Sequence, residues 1–295
     1  VYGHPAIAVP VKQVRAKAIV SPAIGKPSGY VQISAPDISL ESALAGLLPD
    51  NPLARAISEV LTYLEIDKPP AFNLQVTSTI PIASGLGSGA AVSVAIIRAV
   101  AGFMGAVLSA EIVSELAFRV EEIHHGTPSG IDNTVVAYEL PVYYVKDQPV
   151  EIFTVNKQFT IVIGDTGVAS PTSVTVGEVR EAWRTARDRY EVLFSCIGAV
   201  AVKARDALEM GDLENLGLLM NENHVHLQKM GVSSYELDRL VVAARSVGAL
   251  GSKMSGGGRG GNMIALVDSD TSENVAQALL AAGAKNAIVT QVGAR

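Results

Sequence analysis

Three stretches of the sequence combine residue types and spacings that can do chemistry. The first, Pro81-Ile-Ala-Ser-Gly-Leu-Gly-Ser-Gly-Ala-Ala91, sets alternating glycines between an alternating run and a long apolar run. A strand, then glycines, then a helix start aims backbone N–H groups at an anion. The helix dipole adds to them, and glycine lets phosphate oxygens come close to the backbone. No Gly-Lys-Ser/Thr follows, so this is not a Walker A loop, and the spacing is not the Gly-x-Gly-x-x-Gly of dinucleotide binding. In the second stretch, Lys253-Met-Ser-Gly-Gly-Gly-Arg-Gly-Gly-Asn-Met263, glycine takes five of the six positions 256–261. Each glycine costs conformational entropy on folding, so a loop passing close to a ligand or to the first glycine stretch explains the cluster better than packing does.

The third stretch is Glu121-Glu-Ile-His-His-Gly-Thr-Pro-Ser-Gly-Ile-Asp-Asn133. Glu121 closes a predicted helix, and Asp132 follows a loop containing Gly126, Pro128 and Gly130. A carboxylate pair separated in this way can divide the labour of phosphoryl transfer, one acid holding Mg²⁺ and the other orienting or deprotonating the attacking hydroxyl. Solvated helix-end acids are the plain alternative, and the neighbouring glycine stretches weigh against it. His124 and His125 are adjacent, His224 and His226 are two apart on a predicted helix, and no zinc spacing is present; all four read as structural. Cys196 lies in the apolar run 192–202 and reads as a buried thiol rather than a nucleophile.

These stretches need elements to position them. Short strands are predicted at 6–11, 14–20 and 29–34, a helical stretch over 39–66 interrupted near Pro49–Pro52, and a half-exposed strand at Phe72, Leu74 and Val76. A helix from the first glycine stretch to about Gly105, a helix over 109–123 with Ser109 as N-cap, and strands over 134–155 follow. Beyond Phe159 come a strand at 160–164, helices near 174–209, 212–229 and 234–247, strands flanking the second glycine cluster, a helix at 272–282 and a strand at 287–292. A strand-rich first half and a helix-rich second half argue for a two-domain α+β protein, with boundaries at 1–158 and 159–295 and the site in a cleft. A length of 295 residues suits two domains, and 48% hydrophobic with 18% charged content excludes a disordered chain. The net charge of −6 and the lack of a Lys/Arg run exclude an electrostatic footprint for nucleic acid. No apolar run reaches roughly 18 residues, so no membrane span is expected. A single cysteine fits a reducing cytoplasm. The opening Val1-Tyr-Gly-His-Pro-Ala reads as the middle of an element, so a preceding segment is expected.

Together the three stretches resemble the GHMP kinases. Pro81–Ala91 is similar to the family's phosphate loop and 253–261 to its C-terminal glycine motif. Within the family the mevalonate kinase branch is nearest. Val1-Tyr-Gly-His-Pro-Ala-Ile7 resembles the tail of that branch's first motif, His125-Gly-Thr-Pro-Ser-Gly-Ile-Asp132 its His-Gly-Asn-Pro-Ser-Gly-Val-Asp signature, and Asp165-Thr-Gly-Val-Ala-Ser-Pro-Thr172 a substrate-side segment. The resemblance implies ATP-dependent phosphorylation of the primary hydroxyl of mevalonate, early in isoprenoid synthesis, with Mg²⁺. It implies a ribosomal protein S5 domain 2-like N-terminal domain that binds ATP and a ferredoxin-like C-terminal domain. By the same resemblance Asp132 handles the hydroxyl proton, and Glu121 with Ser88 holds Mg²⁺. Ala83, Ser84, Gly85, Leu86, Gly87, Ser88, Gly89, Ala90 and Gly257 bind the nucleotide, and Thr172 and Ser170 lie near substrate. A homodimer is the expected assembly.

Departures from the family pattern are specific. Its Pro-Gly-Lys and Gly-Glu-His motif would precede Val1, and Lys12 and Lys17 lie beyond that motif. Gly89 stands where the second serine of a Ser-Ser pair helps hold Mg²⁺, leaving Ser88 or water to complete the shell. Ser170 stands where some members carry a substrate-side arginine. The runner-up activities are phosphomevalonate kinase or a mevalonate kinase acting at another hydroxyl. No basic residue between Gly164 and Glu178 supplies the charge a phosphorylated substrate demands. A non-catalytic nucleotide binder is the reading from another class; a dinucleotide-dependent dehydrogenase lacks the glycine spacing.

Overall fold

The computed structural model describes residues 2–80, 85–125, 128–170 and 172–293. In chain order the first elements are β1 (Ala6–Ala8), β2 (Ala16–Pro22), β3 (Val31–Ala35), β4 (Leu40–Ala43), α1 (Pro52–Tyr63), β5 (Phe72–Ser78), α2 (Ser88–Phe103), α3 (Ala110–His125) and α4 (Ile131–Tyr138). There follow β6 (Val142–Tyr144), β7 (Glu151–Ile152), β8 (Phe159–Asp165), α5 (Thr172–Thr185), α6 (Arg187–Met210), α7 (Leu213–Met230) and α8 (Tyr235–Ser246). The chain closes with β9 (Gly251–Ser255), β10 (Asn262–Val267), α9 (Ser272–Ala281) and β11 (Asn286–Val292). Packing divides it into two compact units, one of Val14–Pro81 with Gly87–Glu139, the other of Val1–Gln13 with Ile82–Leu86 and Leu140–Arg295. This differs from a division at 158/159, because β1 pairs with β6 and β6 with β7, which carries the start of the chain into the unit of the later residues.

In the unit that carries α1 to α4, a four-stranded sheet runs β2-β5-β3-β4, parallel only between β3 and β5. On β5, Phe72, Leu74 and Val76 are buried while Asn73 and Gln75 are exposed, the half-exposed alternation predicted for it. The buried face packs against Ile57 and Val60 of α1, Ile96, Ile97 and Val100 of α2, and Leu116 and Val120 of α3. Burial of each such side chain is worth roughly 2 kcal/mol. Helix α1 begins where Pro52 sets its first φ and Asn51 Oδ1 accepts the N–H groups of Leu53 and Ala54 at 3.0 and 3.3 Å. Ser109 Oγ accepts from Ile112 N–H at 3.3 Å and caps α3 as the sequence predicts.

Two local expectations are corrected. Residues 40–43, predicted helical, form β4, because Ala35 and the residues before it on β3 offer an antiparallel ladder that a short segment ahead of Gly46 and Pro49 satisfies better than an isolated turn. Residues 134–138, predicted as strand, form α4, where docking of the buried Asn133 and Thr134 on α3 overrides the β-branched propensity of Thr134, Val135 and Val136.

In the other unit, β1-β6-β7 form a small antiparallel sheet and β11-β8-β10-β9 a larger one. Strand β8 is covered on both faces. Ile161 and Ile163 join Leu266, Val200 and Leu219 in one core, while Val162 joins Met263, Leu240 and Leu279 in another. Strand β9 is the edge of this sheet, and α7 packs along it.

Candidate active site

The first glycine stretch leads into α2 through Gly87, whose φ of +65° is left-handed and whose lack of a side chain leaves the helix start without a side-chain cap. Ala91 N–H makes the first helical bond, to Gly87 O at 2.9 Å, so the N–H groups of Ser88, Gly89 and Ala90 precede the ladder. The Ala90 methyl is buried, which leaves its backbone as its contribution. A Cβ built on Gly89 would enter open space among the described residues. Ala83 and Ser84 lie outside the described residues.

Asp132 sits in the first turn of α4, whose N-cap is Gly130 with φ +85°. It lies against the glycine stretch: a Cβ on Gly87 would stand 3.5 Å from Asp132 Cβ and 3.6 Å from Cγ. A buried polar network holds this turn on α3. Asn133 Nδ2 donates to Ser114 O at 3.0 Å and to Ser114 Oγ at 2.9 Å, Thr134 Oγ1 donates to Gly130 O at 2.6 Å, and the Ser114 and Thr134 hydroxyls are 3.3 Å apart. Asn133 Oδ1 is buried with no hydrogen-bond partner among the described residues. Sequence reasoning missed this network, and its one signal was an Asn directly after Asp132.

Glu121 lies two turns beyond Ser114 on α3 and shares the field of Asp132. Burial first, and then the charge of Asp132, push its pKa up to about 7. Two acids that raise one another's cost of ionisation make a place for a hard cation, and a carboxylate with a serine hydroxyl at a helix start is the oxygen donor set Mg²⁺ takes. Among the described residues no three His, Cys, Asp or Glu side chains cluster to hold a metal. A set this sparse is the kind Mg²⁺ uses when substrate phosphates complete its shell.

The second glycine cluster, between β9 and β10, meets the first. A Cβ on Gly256 would lie 3.3 Å from Gly85 O and 3.4 Å from Gly85 Cα, so the two glycine segments touch backbone to backbone. Leu86, next to Gly85, packs its side chain into the core with Ile161 and Ile163. Gly257 faces Thr172 at the start of α5, with a built Cβ 3.0 Å from Thr172 Oγ1. Ser170 Oγ lies 3.4 Å from Thr175 Oγ1. The segment leading to Ser170 is sewn to the loop: Thr166 N–H and Oγ1 both donate to Gly261 O at 2.9 Å, and Gly261 N–H donates to Val168 O at 2.9 Å. Lys253, on β9, keeps part of its surface exposed. Its Nζ donates to Met254 O at 2.7 Å, and burial of the ammonium pushes its pKa down to about 8.

Residues 51–139 match the family model described as GHMP kinases N terminal domain, and residues 204–285 match GHMP kinases C terminal. The chain is 35% identical to a mevalonate kinase of Pyrococcus horikoshii over 306 aligned positions, covering 96% of this chain and 88% of that protein. It is 36% identical to a mevalonate kinase of Thermococcus gammatolerans over 305 positions, with the same coverage of 96% and 88%. The crystal structure of L. major mevalonate kinase in complex with R-mevalonate matches with a TM-score of 0.84 at 28% identity, covering 99% of this chain and 90% of that one.

Proposed function

This chain belongs to the GHMP kinases, ATP-dependent enzymes that phosphorylate alcohols, and from that premise we propose that it transfers the ATP γ-phosphate to the primary hydroxyl of mevalonate. The observation that carries the reading is Asp132 held against Gly87 at the start of α2, with Glu121 close enough for its ionisation to feel that charge. The backbone N–H groups at the start of α2 and the residues Gly85 and Gly257 hold the phosphates. Asp132 accepts the proton of the substrate hydroxyl as its oxygen bonds to the γ-phosphorus and the bond to the β,γ-bridging oxygen breaks, releasing ADP. Glu121 and Ser88 would hold Mg²⁺, which would supply charge neutralisation for the phosphate oxygens. Thr172 and Ser170 contribute hydroxyls on the substrate side.

An unphosphorylated alcohol is favoured over a phosphorylated one because no basic residue lies between Gly164 and Glu178 in the sequence. Among the described residues no helix is long and apolar enough to cross a membrane. The working reading is a cytoplasmic homodimer acting on a small molecule, and light scattering measures its assembly. ATP consumption coupled to a reporter, run with mevalonate, phosphomevalonate, homoserine and galactose, tests the activity. Turnover on mevalonate well above the others is the expected result, and absence of turnover on mevalonate would sink the proposal.

A further inference from the structure

A buried histidine that phosphoryl transfer leaves unused braces the second glycine cluster. His224 of α7 is 1% exposed. Its Nδ1 accepts from Met254 N–H at 3.3 Å, and its Nε2 lies 3.1 Å from Asp238 Oδ1 on α8. A backbone N–H can only donate, so Nδ1 is unprotonated and the ring proton sits on Nε2, donated to the carboxylate. Burial, joined by the charges of Arg245 and Lys253 and opposed by Asp238, pushes the pKa of the ring down and keeps it neutral.

The geometry around this ring is specific to the edge of the sheet. Alternate N–H groups of β9 point away from β10, and α7 satisfies them with side chains three residues apart: Asn221 Oδ1 accepts from Ser252 N–H at 3.0 Å, and His224 takes Met254. Asp238 Oδ1 also accepts from Ser233 Oγ at 2.5 Å. The residue before Ser233, Val232, accepts Arg259 N–H from the glycine cluster at 2.7 Å, and Arg259 Nε donates to Gly231 O at 3.3 Å. The turn between α7 and α8 thus seats the far side of the cluster, while the ring ties down the strand that feeds it. Met254 is two residues from Gly256, the residue that touches Gly85.

We propose that His224 is a positioning residue for the nucleotide: with Asp238 and Ser233 it fixes β9, and so the seat of Gly256 against Gly85, where the phosphates bind. This rests on the reading of both glycine segments as the nucleotide site. A merely structural histidine would, when removed, lower the fraction of folded enzyme and leave the Michaelis constants of the remainder unchanged.

The test compares His224→Leu, which fills the space without hydrogen bonds, with His224→Asn, whose Oδ1 takes the place of Nδ1. Kinetics on ATP and mevalonate are measured alongside calorimetric binding of Mg²⁺ and the non-hydrolysable analogue adenylyl imidodiphosphate. His224→Leu is expected to raise the KM for ATP and the Kd of the analogue about tenfold, with the KM for mevalonate moving less than about twofold. His224→Asn should recover both nucleotide constants to within about threefold of wild type. Asp238→Asn, which preserves the packing, should give a rise of about threefold and keeps the test open should the leucine variant not fold. Wild-type nucleotide constants in His224→Leu, or equal impairment in the leucine and asparagine variants, would overturn the proposal. Should the wild type bind the analogue without phosphorylating mevalonate, the functional reading fails while the Kd ratios still decide the role of His224.

Discussion

Gly87 and Asp132 are separated by no more than an ordinary side-chain contact: a Cβ on the glycine would sit 3.5 Å from the aspartate Cβ. The glycine is needed for a φ of +65° that turns the chain into α2, and the Asp132 side chain lies in contact with that turn. Gly87→Ala should lose about 1–2 kcal/mol of stability from the left-handed backbone, read as a fall in Tm of roughly 2–8 °C. The methyl would meet Asp132 at ordinary van der Waals distance, so the strain acts through the turn that carries the contact, and because small misplacements of a reacting group are costly, kcat should fall at least about tenfold. Steady-state kinetics with a thermal melt checks both, and an unchanged kcat would separate Gly87 from the acid.

Asp132→Asn keeps the shape of the side chain and removes its basicity. Turnover should drop by about a thousandfold or more, while affinity for a nucleotide analogue stays within about twofold. The same substitution removes one of the two causes of the raised pKa of Glu121, so the ionisation of Glu121, followed by carboxyl ¹³C NMR, should move down from about 7. Burial remains as the larger cause and should hold it above 4.5. Retained turnover would take Asp132 out of the proton-handling role.

Glu121 links the site to stability. Its carboxyl has a raised pKa in the folded protein, about 7 against 4.5 unfolded, so between those values the folded state keeps a proton that the unfolded state has released. With fewer protons on the unfolded chain, stability of the metal-free protein falls as pH rises from 4.5 to 7, and the full cost is present above 7. A shift of that size corresponds to as much as roughly 3 kcal/mol at 1.36 kcal/mol per unit. Metal-free Glu121→Gln should therefore be more stable than wild type at pH 8 and nearly equal to it at pH 4.5, by urea denaturation. Adding Mg²⁺ with a nucleotide analogue should stabilise wild type more than the variant. Equal stability at pH 8 would show that Glu121 ionises there at no cost.

How far the sequence disclosed this site depends on whether a feature is local. Gly85, Gly87 and Asp132 were legible because glycines at a helix start and an acid after a Gly-Pro-Gly turn are visible within a dozen residues. The bond from Asn133 to Ser114 was not, since it spans two helices and neither residue type announces a partner. His224 read as structural from its spacing to His226, while its actual partners, Met254 and Asp238, lie on a strand and on the next helix. Residues 40–43 were misread for the same reason: only the distant β3 makes them a strand. Expectations for Ala83 and Ser84 fall outside the described residues.

Gly89 offers a gain-of-function test. Among the described residues nothing lies within 4 Å of its built Cβ, so a serine fits the first turn of α2 without displacing any of them. Gly89→Ser adds a hydroxyl donor beside Ser88 and removes the entropic cost of a helical glycine, roughly 0.5 kcal/mol. The Mg²⁺ concentration giving half-maximal turnover should fall severalfold. A higher requirement would place the metal away from this turn.

Gly257 and Thr172 form a pair whose coupling can be measured directly. A Cβ on Gly257 would stand 3.0 Å from Thr172 Oγ1, 3.1 Å from Cγ2 and 3.2 Å from Cβ, so Gly257→Ala forces α5 and the glycine cluster apart by a few tenths of an ångström. Thr172→Ala removes the two nearest of those atoms and leaves the third, and so should relieve most of the strain. In a double-mutant cycle the two changes should be less destabilising together than the sum of the singles, by at least about 0.5 kcal/mol, the scale at which contacting residues depart from additivity. Turnover should not recover in the double variant if, as proposed, the Thr172 hydroxyl serves the substrate. Additive losses in stability would mean that the loop yields elsewhere, and recovered turnover would remove Thr172 from the substrate side.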